Sequence, residues 1–176
     1  FRSDVFASPS TRQVMDICRA VDQGAGVLLS FGNYAGDVLN FSAAAARLRA
    51  QGMALEVLAV TDDVASAPVG EEYRRRGVAG DLTVFKIAGA AAEEGYDLAG
   101  VAAVANRANH RTRTFGVAFA GCTLPGAEAP LFTLPEETIG WGLGIHGEPG
   151  VGEDSLPSAD DLAAEMVRKV LTDAPP

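Results

Sequence analysis

Val27-Leu28-Leu29-Ser30-Phe31-Gly32-Asn33-Tyr34-Ala35-Gly36-Asp37 decides the architecture of this chain. Its first five residues form a short apolar run, the pattern of a strand covered on both faces. Gly32 to Gly36 reads as a turn. The stretch from Val38 to about Ala50 then carries an alanine tract with helical propensity, ended by Gly52. Leu55 to Val60 is a second buried strand. Parallel strands need a crossover long enough to return the chain to the same edge, so residues 27–60 read as one βαβ unit.

Upstream, Ser8-Pro9-Ser10 reads as a helix start, with Val14, Ile17, Cys18 and Val21 at helical spacing behind it and Gly24-Ala25-Gly26 ending it. Downstream, Thr61 to Gly80 is rich in loop formers. Thr83 to Glu94 and Asp97 to Asn109 are alanine-rich and predicted helical. From Arg113 the pattern changes. Thr114 to Ala120 alternates like a half-buried strand, and Leu131-Phe132-Thr133-Leu134 and Ile139 to Ile145 are further strand candidates. Ser158 is placed to cap a last helix through Leu162, Met166, Val167 and Val170, with Glu165 too far on to complete a capping box. The expected fold class is therefore α/β. A βαβ lobe with a parallel sheet (residues 1–110) is followed by a smaller α+β lobe (residues 111–176).

The net charge of −9 argues against a nucleic-acid partner, because phosphate contacts need clustered Lys and Arg. Arg74-Arg75-Arg76 reads as solvated surface. Cys18 and Cys122 lie far apart and read as small buried hydrophobes, and with two scattered histidines they predict no metal site. No apolar run is long enough to span a membrane and no signal-peptide pattern is present, so a cytoplasmic location is expected. The abrupt start at Phe1 and the end at Ala174-Pro175-Pro176 raise the possibility of a piece of a longer protein.

Two stretches carry chemistry. Asp37 follows the turn at the carboxyl end of a buried strand, the edge where open α/β sheets bind ligands. Such an aspartate either caps the helix or acts as a general base on a hydroxyl. His146 ends an apolar run and sits among Gly142, Gly144, Gly147 and Gly150. Gly144 and Gly147 are expected to take positive φ and bare the backbone, and Pro149 bends the chain behind Glu148. His146 is thus either a surface-turn residue or an imidazole presented to a ligand. The chain has no Gly-x-x-x-x-Gly-Lys-Ser/Thr loop and only Lys86 and Lys169 as lysines, so it shows no grip for ATP of its own.

Gly32-Asn33-Tyr34-Ala35-Gly36-Asp37-Val38-Leu39-Asn40-Phe41 resembles the Asn-Tyr-x-Gly-Asp-x-x-Asn-Phe motif of the dihydroxyacetone kinase substrate-binding subunit. Arg76-Gly77-Val78-Ala79-Gly80, Lys86-Ile87-Ala88-Gly89-Ala90, Phe115-Gly116-Val117-Ala118 with Cys122-Thr123-Leu124-Pro125-Gly126, and Gly142 to Gly150 resemble further family segments in the same order. The resemblance runs from about Val5 to Val170. It implies that His146 attaches a ketose as a hemiaminal and that Asp37 draws the proton from the hydroxyl to be phosphorylated. Gly32, Asn33 and Gly36 are implied to line the substrate site. Arg107 is read either as a side chain reaching toward a partner's nucleotide phosphates or as an exposed arginine late in a helix, where the dipole favours cations. The family carries ATP or ADP with Mg²⁺ on a helical partner domain or subunit, so none is expected on this chain. A phosphotransferase-system protein and a second copy of the chain are implied as further partners.

The chain departs from the family at Gly32, where known members carry a lysine before the Asn-Tyr pair. That opens room beside the substrate and makes a four-carbon ketose such as erythrulose plausible alongside dihydroxyacetone. The family's Gly-rich segment with a further catalytic histidine is missing, and His110 does not match it. The competing reading is a non-catalytic sugar-binding or regulatory paralogue.

Overall fold

The computed structural model describes residues 6–173; Phe1, Val5 and Ala174–Pro176 lie outside the described residues. Helix α1 (Thr11–Val21) opens on a complete capping box, in which Ser10 accepts from the Gln13 backbone and Gln13 accepts from the Ser10 N–H. Strand β1 (Val27–Gly32), helix α2 (Ala35–Ala50) and strand β2 (Leu55–Val60) form the expected βαβ unit, paired in parallel with Val27 opposite Leu55 and Gly32 opposite Val60. Helices α3 (Gly80–Glu93) and α4 (Leu98–Arg111) cover the other face.

The core has two layers divided by this sheet. On one side Val14, Met15 and Cys18 of α1 meet Leu29, Ala44, Ala45, Leu48 and Leu55. On the other, Leu58 and Val60 pack against Val84, Ala88 and Ala91 of α3 and Val101 and Ala105 of α4. The alanines let these helices come close to each other and to the strands.

Helices α2 and α3 each begin three residues earlier than the pattern predicts. Helix α3 starts at Gly80 because Asp62, fully buried at the end of β2, accepts from the Val78 and Gly80 N–H groups at 2.9 Å each. These are donors that a helix start otherwise leaves unpaired. Gly80 is obligatory there, since a Cβ would lie 2.4 Å from the Asp62 carboxyl carbon. Thr114 Oγ1 also donates to Asp62.

Beyond Arg111 a three-stranded antiparallel sheet runs in the order β3 (Val117–Ala118), β4 (Thr138–Trp141), β5 (Gly152–Ser155), followed by α5 (Ala159–Thr172), which Ser158 caps. Several expectations need correction here. The run Thr114–Ala120 yields only a two-residue strand and an isolated bridge from Thr114 to Asp63. Leu131–Leu134 is not a strand: Pro130 and Pro135 bracket it and lack the N–H a ladder needs. Strand β4 stops at Trp141 because Gly142 turns to φ +65°, so His146 is carried on a loop rather than on a strand.

The arginine run is not solvated surface either. Only Arg74 is exposed. Arg75 is fully buried, with Nη1 and Nη2 donating to the two carboxylate oxygens of Asp173 at 2.6 and 2.7 Å and Nε donating to the Ala67 carbonyl. Arg113 Nε adds a contact to the same carboxylate at 2.9 Å. Asp173, just past α5, therefore neutralises two buried guanidinium groups. Asp173→Ala leaves both uncompensated and is expected to lower stability by about 3–5 kcal/mol in urea unfolding. A loss below about 1 kcal/mol, the level of a surface pair, would show that the pair is solvated after all. Cys18 is buried as expected, whereas Cys122 is exposed on a loop.

Candidate functional site

A cleft opens at the carboxyl ends of β1 and β2, where Gly32, Tyr34 and Asp37 leave the sheet and Gly77, Val78, Ala79 and Asp81 enter α3. His146 and Ile145, on the loop that follows β4, close it from the opposite side, and the cavity holds about 430 Å³. A second cleft on the other side of His146 shares Tyr34 and Asp37 and adds Gly36, Leu124 and Glu148. His146 and Asp37 thus face the same space although they lie in different halves of the sequence.

Two backbones cross closely to make this wall. A Cβ on Gly77 would lie 2.5 Å from the Gly32 Cα and 2.6 Å from the Val60 carbonyl oxygen. The absence of side chains at both positions lets the start of α3 rest on the strand ends. Arg76 then fixes the opposite wall. Its Nε donates to Asp63 Oδ2 at 2.8 Å and its Nη2 donates to the Gly142 carbonyl at 2.8 Å. The loop carrying His146 is thereby tied to the end of β2.

His146 is oriented by its own turn. The Glu148 carboxylate accepts from the His146 backbone N–H at 3.0 Å and lies 2.8 Å from Nδ1. Burial alone pushes the Glu148 carboxyl up. Hydrogen bonds from its own backbone and from the His146 ring and backbone outweigh this and hold it below the ordinary carboxylate value. An ionised carboxylate can only accept, so a neutral His146 carries its proton on Nδ1 and leaves the Nε2 lone pair free. Gly147 takes the expected positive φ, +84°, but Gly144 does not. Gly144 is needed for space instead, since a Cβ there would lie 2.0 Å from Glu148 Oε2. The rings of Tyr34 and Phe6 each meet the imidazole edge-to-face at 4.9 Å. Burial first, and the charge of Glu148 second, push the Tyr34 phenol well above its ordinary value.

Asp37 lies in the first turn of α2, but it does not cap the helix. Tyr34 occupies the cap position without a side-chain bond, and the Asp37 carboxylate has no hydrogen-bond partner among the described residues. It is half-buried and faces both clefts. Gly36 borders the second cleft. Asn33 is placed differently from the expectation: its Nδ2 donates to the carbonyls of Tyr73 and Arg75 at 3.1 and 2.7 Å, and it is not among the residues lining either cleft. Its amide positions the arginine loop. Arg107 is exposed on α4, near the end where Asn109 bonds to Thr61, and makes no ion pair among the described residues. His110 is exposed and away from the clefts.

Glu148, Tyr34 and Asp81 line the clefts, and the sequence pattern did not single them out. Glu148 stood in view as part of a turn, and its spacing of two from His146 across a glycine was the available clue. No helix among the described residues is long and apolar enough to cross a membrane.

The profile of the Dak1 domain matches residues 2–176. An L-erythrulose kinase of Pectobacterium atrosepticum is 59% identical over 172 residues, covering 98% of this chain and 29% of that protein. The dihydroxyacetone-binding subunit DhaK of PTS-dependent dihydroxyacetone kinase 2 from Listeria innocua is 42% identical, covering 93% of this chain and 49% of the subunit. The crystal structure of the dihydroxyacetone kinase from C. freundii in complex with AMP-PNP and Mg²⁺ superposes with a TM-score of 0.89 at 40% identity, over 98% of this chain and 32% of that one. The chain thus spans about a third to a half of the length of these relatives. The match over nearly its whole length, at these identities and with a common α/β fold, means that the chain belongs to the Dak1 domain family.

Proposed function

We propose that this chain is the substrate-binding part of a ketose kinase, holding a short-chain ketose on His146 while its terminal hydroxyl is phosphorylated. The observation that carries the reading is the Glu148–His146 pair, which lines one cleft together with Asp37. With the proton on Nδ1, the Nε2 lone pair adds to the ketone carbon and the carbonyl π pair moves to oxygen. The oxygen takes a proton from water, Nδ1 releases its own to Glu148, and Glu148 passes that proton to the hydroxide left behind, so one N–H has added across the C=O bond. A polyol has no carbonyl and is refused on chemical grounds.

Asp37 accepts the proton of the terminal hydroxyl as that oxygen attacks phosphorus. ATP held with Mg²⁺ on a nucleotide-binding partner domain or subunit would supply the phosphoryl group; the alternative is ADP kept there and recharged by a phosphotransferase-system protein. Arg107 is a candidate for reaching that partner's phosphates. Homodimerisation, a cytoplasmic location and the division at residues 110 and 111 belong to the same reading. The names of the erythrulose kinase relative and of the DhaK subunit support a ketose of four or three carbons. Gly32 favours the larger.

Crystals of the protein soaked with erythrulose are expected to show continuous density from His146 Nε2 to the ketone carbon. A ketose bound in the cleft with no bond to His146 would overturn the covalent step.

A further inference from the structure

Asp81 stands at the first turn of α3 and lines the same cavity as Asp37 and His146. Its Oδ1 is buried and has no hydrogen-bond partner among the described residues. Its Oδ2 lies where a side chain on residue 32 would have to go: a Cβ on Gly32 would sit 3.0 Å from that oxygen, 3.0 Å from the Gly77 carbonyl and 3.3 Å from Tyr34 Cε2. The missing side chain at Gly32 and the carboxylate at Asp81 are therefore two halves of one arrangement. Any larger residue at 32 would displace the carboxylate or fill the cavity in front of it.

A buried carboxylate oxygen without a partner is costly unless a ligand supplies the donor. Asp62 meets its own needs through the Val78 and Gly80 N–H groups and Thr114, so it offers Asp81 nothing. Among the described residues no third His, Cys, Asp or Glu joins the pair in a metal-binding cluster. What fits two acceptor-only groups on one wall is a neutral ligand with two donating hydroxyls. A vicinal diol has that form. Erythrulose carries one, on its third and fourth carbons, whereas dihydroxyacetone keeps its hydroxyls on either side of the ketone.

We propose that Asp81 is a specificity-determining residue for four-carbon ketoses, its carboxylate accepting from the secondary hydroxyl of the substrate while Asp37 takes the neighbouring terminal hydroxyl. This rests on the ketose-kinase reading and adds to it the group that is recognised. Polar recognition separates it from mere room. A site built to bond a hydroxyl rejects the analogue lacking it far more strongly than an apolar pocket rejects a change in length.

The test uses the complete kinase with its nucleotide-bearing partner and compares kcat/KM for erythrulose, dihydroxyacetone and 1,4-dihydroxybutan-2-one. The last has four carbons and no secondary hydroxyl. Wild type is expected to prefer erythrulose over 1,4-dihydroxybutan-2-one by roughly 10–10²-fold, the range of a hydrogen bond to a charged group. Asp81→Ala is expected to bring that ratio close to unity, and Asp81→Asn, which keeps the shape, to reduce it partly. Gly32→Ala, whose Cβ crowds Asp81, should lower turnover of erythrulose more than that of dihydroxyacetone.

A melting curve shows that the variants are folded. Burial and the charges of Asp62 and Asp37 push Asp81 up to about 6 from 3.8. The ionised carboxylate thus opposes folding above that range and ceases to do so below it. Asp81→Asn is therefore expected to raise Tm at neutral pH, with the gain shrinking as the medium becomes acidic. An unchanged erythrulose ratio in folded Asp81→Ala would overturn the assignment while leaving the ketose-kinase reading intact. Absence of turnover on every ketose by wild type would overturn both.

Discussion

Asp37→Asn in the complete kinase is expected to lower kcat by roughly 10²–10⁴-fold while changing KM for the ketose little. Asp37 lines the cavity with its carboxylate unpaired among the described residues, and the helix it sits on begins without using it as a cap. Asparagine matches the shape and can still accept a hydrogen bond, but it cannot take the hydroxyl proton as the oxygen attacks phosphorus. An interaction needed only in the transition state shows in kcat rather than in capture. Because no cap is lost, the variant's stability should stay within about 0.5 kcal/mol of wild type, the usual range for a substitution away from structural contacts. A kcat within a few-fold of wild type would remove Asp37 from the mechanism. A clear fall in Tm alongside unchanged kcat would assign it to the helix start instead.

What could be read in the chain before folding was what local pattern controls. The apolar runs at 27–31 and 55–60 and the alanine tracts between and beyond them specify a βαβ unit with covered faces, and it forms with the expected parallel pairing. The Gly-rich stretch around His146 and the turn before Asp37 mark the two sides of the cleft. The misread parts depend on partners far along the chain. Arg75 looks like surface until Asp173, beyond α5, is brought beside it, and Arg76 until Gly142 and Asp63 are. Asp81 falls before the helix start predicted at Thr83, and it comes to line the cavity because α3 begins at Gly80 and Gly77 crosses close over Gly32. Strand β5, Gly152-Glu153-Asp154-Ser155, is exposed at every position. It has no apolar alternation to detect, and it pairs because β4 offers it an edge.

His146→Asn is expected to raise KM for erythrulose by roughly 10²-fold or more, the scale at which loss of enforced positioning is felt. The sharper consequence is for selectivity. If the imidazole captures the ketone carbon, refusal of erythritol rests on the missing electrophile and not on shape. Without the imidazole the remaining contacts, Asp37 and Asp81 among them, address hydroxyls that ketose and polyol share. The ratio of kcat/KM for erythrulose over erythritol should therefore fall toward unity. Glu148→Gln separates nucleophile from support, because it keeps the bulk beneath His146 but replaces an acceptor-only carboxylate with an amide whose nitrogen donates. The tautomer with a free Nε2 is then no longer enforced, and capture is expected to weaken while selectivity for the ketose survives. His146→Asn retaining full preference for erythrulose over erythritol would mean that shape makes the distinction. The hemiaminal would then have no part in recognition, whatever a soaked crystal displays.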